Sequence, residues 1–408
     1  MLDETRLRAY MQRAETELRE NILPFWIQHT VDQENGGFYG KVTNDLHVDK
    51  TAPRGALLTS RILWTYSAAY RRYQNAAYLK MADWAYEDLM TRFWDREYGG
   101  LYWMVDVDGT PIRDRKQVYG QAFGIYALAE TYAATGKEAA LEKAQAIFQA
   151  LEQHAYDPIY KGYFEAFTRD WQIADDMSLN AGEQSEMKSM NTSIHTMEAF
   201  TNLLRVWPDE TLRSRLSELI GVMMDHIISA ETYHTILFFD ETWAPRSENV
   251  SYGHDIETSW LLVEATEVLG DPALHERAKV IAKQMAQAVY GEGVDPDGAV
   301  VYEAGPEGLE DSTKQWWPQA EAAVGFLNAY QLTGEAHFLE AAYRSWDFID
   351  AYLVDRRYGG WIRYIERDHT VPEGISEDGA KVSFWKCPYH NGRACMELAE
   401  RLHRLLTS

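Results

Sequence analysis

Three of the 12 histidines, His195, His254 and His390, fall at matching places in the chain. Each stands at or beside the start of a mostly apolar helical stretch: MNTSIHTMEAFTNLL from Met190, HDIETSWLLVEATEVL from His254, and NGRACMELAERLHRLL from Asn391. Three more such stretches, SRILWTYSAAY from Ser60, YGQAFGIYALAETY from Tyr119 and PQAEAAVGFLNAYQL from Pro318, bring Arg61, Tyr119 and Trp317 to the same place. Asn191 and Glu257 accompany the first two histidines, and Trp385 precedes the third. A helix start gathers unsatisfied N–H groups and the positive end of the helix dipole. That environment keeps a histidine neutral and able to act as a base near pH 7, and it favours a transient oxyanion. The chemistry expected is proton transfer, with Arg61 needing something anionic beside it. Pro318 and Pro388 place Trp317 and Trp385 just outside helix interiors, where they suit stacking on the apolar face of a sugar.

Each residue alone has a plainer explanation. A histidine at a helix start caps or packs, Arg61 forms a structural ion pair, and the tryptophans fill core. That plainer role suits His29, His47, His154, His226, His234, His275, His337, His369 and His403, which fall on outer helices, loops or the tail. Recurrence at equivalent positions of the repeat is what favours chemistry for the other three.

The elements that position these residues are repetitive. Gly-aromatic segments recur at Gly36, Tyr98, Lys161, Ile236, Asp297 and Tyr358, roughly every 60–75 residues. An amphipathic helical stretch lies before each segment and a more apolar one after it. The amphipathic stretches often follow breakers, as in TGKEAALEKA from Thr135, LGDPALHERA from Leu269 and TGEAHFLEAA from Thr333. Twelve helices of two kinds predict an inner ring of apolar helices wrapped by amphipathic ones, with short β-hairpins at one end. The expected fold is all-α, a single (α/α)6 barrel over residues 1–408; an open solenoid is the alternative, and six long units suit closure better. In that ring the six inner-helix starts meet at one end.

Composition excludes several classes. With 39 Lys+Arg against 63 Asp+Glu, a formal charge of −24, the chain would repel nucleic acid and anionic membrane, so a neutral small molecule is the expected partner. No long apolar run and no signal-peptide pattern are present, and the 2 cysteines, Cys387 and Cys395, make no disulfide framework, which predicts a cytoplasmic protein. No glycine-rich phosphate loop is found. His195-x-x-Glu198 and His254-x-x-Glu257 put paired ligand types on one helical face, but the bundle metal pattern runs in the opposite order and wants more glutamates. No metal and no cofactor are expected.

KSMNTSIHTMEAFTNLLRVWP from Lys188, GHDIETSWLL from Gly253 and FWKCPYHNGRACMEL from Phe384 resemble the cellobiose 2-epimerases of the N-acylglucosamine 2-epimerase superfamily. The likeness extends to LTSRILWTYSAAYR around Arg61 and KQWWPQAEA around Trp317, and covers nearly the whole chain. It implies an (α/α)6 barrel and an isomerase that inverts C2 of the reducing-end aldose of β-1,4-linked disaccharides, without metal or nucleotide chemistry. It further implies that His254 and His390 are the acid/base pair and that His195 helps at the ring oxygen or O1. Arg61, Asn191 and Glu257 would hold the opened sugar, Trp317 and Trp385 would wall it, and Tyr119 would contact the reacting end. Ser193 and Glu183 depart from the histidine and aspartate common in that family. A relative acting on mannose or mannobiose, or an aldose–ketose isomerase, is the nearby alternative; a glycoside hydrolase on the same barrel is the distant one. The expected assembly is a monomer or weak homodimer.

Overall fold

Helix order follows the alternation of sequence types. The computed structural model describes residues 3–180, 182–372 and 379–407. Helix α1 (Glu4–Thr16) runs through a π-helical turn into α2 (Leu23–His29). There follow α3 (Ala56–Tyr73), α4 (Ala76–Asp88), α5 (Val118–Thr135), α6 (Glu138–His154), α7 (Met190–Val206) and α8 (Glu210–Val222). The chain ends with α9 (Tyr252–Leu269), α10 (Pro272–Ala288), α11 (Trp316–Thr333), α12 (Ala336–Phe348) and α13 (Tyr389–Thr407).

The apolar stretches form the ring. Helix α3 packs on α5, α5 on α7, α7 on α9, α9 on α11 and α11 on α13, and α13 closes back onto α3. Helices α4, α6, α8, α10 and α12 pack outside, and α1 covers α13. This is the closed (α/α)6 barrel that the repeat predicts. Every residue of α5 from Val118 to Thr131 is buried, whereas α6 buries only the stripe Ala140, Leu141, Ala144, Ile147, Phe148 and Leu151. One continuous apolar core runs from Leu7 to Leu402. No helix among the described residues is long and apolar enough to cross a membrane.

Local chemistry sets the turns. Helices α5, α9 and α11 end on Gly136, Gly270 and Gly334, each left-handed, a conformation that costs glycine little. Asp209 and Asp271 then cap α8 and α10 through their side chains. The Gly-aromatic segments become short hairpins, marked by equivalent antiparallel bridges: Val31 with Phe38, Trp94 with Leu101, Tyr156 with Tyr163, Ile228 with Thr235, Val294 with Val300, and Val354 with Trp361.

Most hairpin turns hold a buried clamp between an aspartate and a cation at the approach to the next inner helix. Arg54 pairs with Asp32 and Lys381 with Asp355, while Lys116 to Asp95 is 2.8 Å, Lys188 to Asp157 2.7 Å and Lys314 to Asp295 2.9 Å. The fourth repeat carries Ser229 and Val250 at these places. There His234, expected to be a surface or cap histidine, is instead buried, with Nδ1 2.7 Å from Asp255 and Nε2 3.2 Å from Glu292. The fourth repeat lacks both members of the clamp, and the buried pair there is made instead by His234 and Asp255.

Candidate active site

The six inner-helix starts surround a cavity of about 660 Å3. All nine residues singled out from sequence line it: Arg61, Tyr119, Asn191, His195, His254, Glu257, Trp317, Trp385 and His390. Trp385 lies before α13, as expected. Trp317 instead sits in the first turn of α11, since a proline is tolerated among the first helical residues, where N–H groups have no intrahelical partner.

Arg61 is buried with no carboxylate among the described residues at ion-pair distance. Its Nη2 donates to the Tyr119 hydroxyl at 2.7 Å, and its guanidinium lies 4.2 Å from the Phe123 ring centroid and 5.0 Å from that of Tyr389. The structural ion pair is therefore not its role. Burial of a cation held only by neutral groups leaves charge to offer an anion in the cavity. Burial pushes the Tyr119 hydroxyl upward, so it stays protonated.

The three histidines differ in what holds them. His195 Nδ1 lies 2.9 Å from Glu198 and His390 Nδ1 2.7 Å from Glu321, whereas His254 Nδ1 meets only the Ser251 hydroxyl, at 2.7 Å. Glu321 also accepts from Trp260 at 3.0 Å and Arg393 at 2.7 Å; with donors on every side it receives the His390 Nδ1–H, leaving Nε2 for the cavity. Burial lowers all three imidazoles, and for His254 burial, then His195 and Arg61, brings the value to about 3. Gly253 has a specific task here: a Cβ would come within 2.6 Å of the Trp317 ring, and its absence lets that ring approach the His254 ring to 4.6 Å.

One guanidinium ties the histidine supports together. Arg393 reaches Glu198 and the Tyr389 hydroxyl through Nη1, and Glu257 at 2.6 Å and Glu321 through Nη2. His254 and Glu257, three residues apart on one helical face, do not pair; Glu257 turns to Arg393 instead. Burial, then Glu321, pushes the Glu257 carboxyl up, and its Oε2 has no partner among the described residues. The Arg393 charge, with the His195 bond, holds Glu198 down to about 2 despite burial. Glu257, Glu321 and His390 lie close enough to share a cation, but Arg393 already sits on both carboxylates, a poor setting for a metal ion.

Sequence reasoning missed Glu321, Arg393 and Glu165. Glu321 and Arg393 lie within inner helices, among apolar residues that give a buried charge no obvious partner. That mismatch was their available signal. Glu165 lines the cavity from the third hairpin; burial raises its carboxyl to about 7.

Residues 37–387 match the family model for N-acylglucosamine 2-epimerase (GlcNAc 2-epimerase). The cellobiose 2-epimerase of Bacteroides fragilis is 42% identical, covering 95% of this chain and 98% of its own length. That of Ruminococcus albus is 40% identical, covering 94% and 97%. The solved cellobiose 2-epimerase from Bacillus thermoamylovorans B4167 superposes with a TM-score of 0.91 at 39% identity, covering 97% of this chain and all of that one.

Proposed function

The chain belongs to the N-acylglucosamine 2-epimerase family and is a sugar 2-epimerase, an isomerase, and from that premise we propose that it inverts C2 of the reducing-end aldose of β-1,4-linked disaccharides such as cellobiose. The observation that carries this reading is a set of three histidines, His195 and His390 buried and His254 half-buried, with one arginine that meets no carboxylate among the described residues, around a single cavity in a chain similar along its length to cellobiose 2-epimerases.

A pyranose has no acidic C2 proton until its ring opens. A proton first moves from O1 to O5, with His195 at that end of the sugar. Neutral His254, held by a hydroxyl rather than a carboxylate, then takes the C2 proton through Nε2 and becomes an imidazolium. The electron pair passes to O1 as an enediolate, and the Arg61 guanidinium offsets its charge. His390, which burial keeps neutral at rest, acts once its Nε2 has taken up a proton, the charge then supported by Glu321, and returns that proton to C2 on the opposite face. His254 ends protonated and His390 neutral, the pairing that serves the reverse reaction; exchange with water restores either state. Glu257 and Asn191 hold hydroxyls of the opened chain, Tyr119 contacts the reacting end, and Trp317 and Trp385 cover apolar faces.

The carboxylates beside the histidines support epimerisation over hydrolysis. A glycosidase places two carboxyl groups on either side of a bond, whereas Glu198, Glu257 and Glu321 all converge on Arg393. Incubation with cellobiose in D2O, read by NMR, tests the reading. A mannose-type reducing end with deuterium at C2 is expected. Free glucose, or a ketose as the sole product, would overturn it.

A further inference from the structure

The hairpins present one equivalent position to the cavity. The carbonyl groups of Trp103, Glu165, Leu237 and Arg363 accept the first N–H of α3, α5, α7 and α11, at 3.2, 2.9, 2.9 and 2.8 Å. These four residues are thus in register around the ring. Leu237 and Arg363 line the cavity with Glu165, while the Trp103 ring lies 6.3 Å from Trp385. Glu165 places a carboxyl at this position, with only 3% of its surface exposed.

That carboxyl is half satisfied. Its Oε2 accepts from the Thr192 hydroxyl at 2.6 Å, beside the start of α7, where Ser189 also faces the carboxyl, while Oε1 has no hydrogen-bond partner among the described residues. Asn191, next to Thr192 in sequence and also on the cavity wall, has its Oδ1 buried without a partner among the described residues. Two buried acceptors left open at one wall cost stability unless donors arrive from the cavity.

We propose that Glu165, with Asn191, forms a subsite that accepts hydrogen bonds from two hydroxyl groups of a neutral hexose unit. This rests on the reading of the cavity as a sugar site. A sugar bearing phosphate or carboxylate at the contacted positions is rejected there, because it brings an acceptor and negative charge to open acceptors. Contact with non-reacting hydroxyls strengthens ground state and transition state alike, so the effect falls on KM rather than kcat.

The test compares the native chain with Glu165→Gln and Glu165→Leu. Cellobiose and mannose binding is followed by tryptophan fluorescence, and kcat and KM by deuterium exchange at C2. Both variants should show Kd and KM raised about tenfold or more, kcat within about threefold, and a Tm equal to or above that of the native chain. In the native chain, one sugar of a monodeoxy series should lose the same factor, and Glu165→Leu should add no further loss for that sugar. Unchanged Kd and KM in both variants, with or without a lower Tm, would overturn the proposal and leave Glu165 as a support of α7. Should the variants not fold, a loss under twofold for every monodeoxy sugar in the native chain overturns it equally. A native chain that binds sugars through Glu165 yet exchanges no C2 proton would sink the epimerase reading alone; one that binds no sugar would sink both.

Discussion

Replacing Glu321 by glutamine probes how His390 holds its proton. Its Oε1 lies 2.7 Å from His390 Nδ1, and Oε2 keeps the 3.0 Å bond from Trp260. Glutamine has nearly the same shape, and with its carbonyl at the Oε1 place it still accepts from His390 Nδ1–H and Arg393, giving up the bond from Trp260. Arg393 also retains Glu198 and Glu257, so the helices stay joined. What disappears is negative charge against the imidazolium. A hydrogen bond involving a charged group contributes about 1.5–3 kcal/mol. That corresponds to about one to two pKa units at His390. The proton-bearing form becomes rarer by the same factor, and kcat/KM for epimerisation should fall about 10–100-fold, mostly in kcat. Deuterium exchange at C2, followed by NMR across pH 5–9, measures it directly; the loss should grow toward the alkaline side, where the weakened imidazolium is scarcest. A variant within threefold of the native rate across that range, with its fold intact, would show that Glu321 does not support proton transfer.

The fourth-repeat clamp should make stability depend on pH. Burial alone would lower the His234 imidazole, but Asp255 and then Glu292 outweigh it and the value is raised. Its contribution is complete below about pH 6.5, the unfolded value, and is lost as pH rises through the folded one. The Tm difference between the native chain and His234→Gln should thus be largest near pH 5.5 and shrink by pH 9. Clamp lysines should differ from one another: Lys188→Met leaves Asp157 without its ion-pair partner and should cost about 3–5 kcal/mol in denaturant unfolding. Lys116→Met should cost less, since Arg169 stays 3.0 Å from Asp95. Exhaustive dialysis against EDTA should leave epimerisation unchanged; loss restored by a divalent ion would assign metal ligation to Glu257, Glu321 and His390.

The barrel was legible because each repeat announces itself by a glycine-aromatic turn between an amphipathic and an apolar stretch. The nine cavity residues were legible as polar or aromatic exceptions at inner-helix starts. Their partners were not. Glu321 and Arg393 acquire meaning only when α11 and α13 meet, and the Glu198–Arg393 contact crosses 195 residues of sequence. Helical spacing placed His254 and Glu257 on one face, but spacing cannot foresee that a guanidinium from another helix takes the carboxylate. Glu165 was hidden in a hairpin whose glycines and aromatics drew attention to the turn. His234 was hidden because the loss of the clamp at Ser229 and Val250 could be recognised only after the other clamps were seen.

Contact between α13 and α3 gives the ring no first or last member. In an open stack of helical pairs, the outermost pair has one neighbour and can fray while the rest stands. Here every inner helix has a neighbour on both sides, so releasing any pair strips apolar surface from two others at once. Loss of one pair also opens the wall of the cavity wherever it occurs. The six units are built alike, yet they should come apart together, and a fragment of five would be a broken ring rather than a shorter protein.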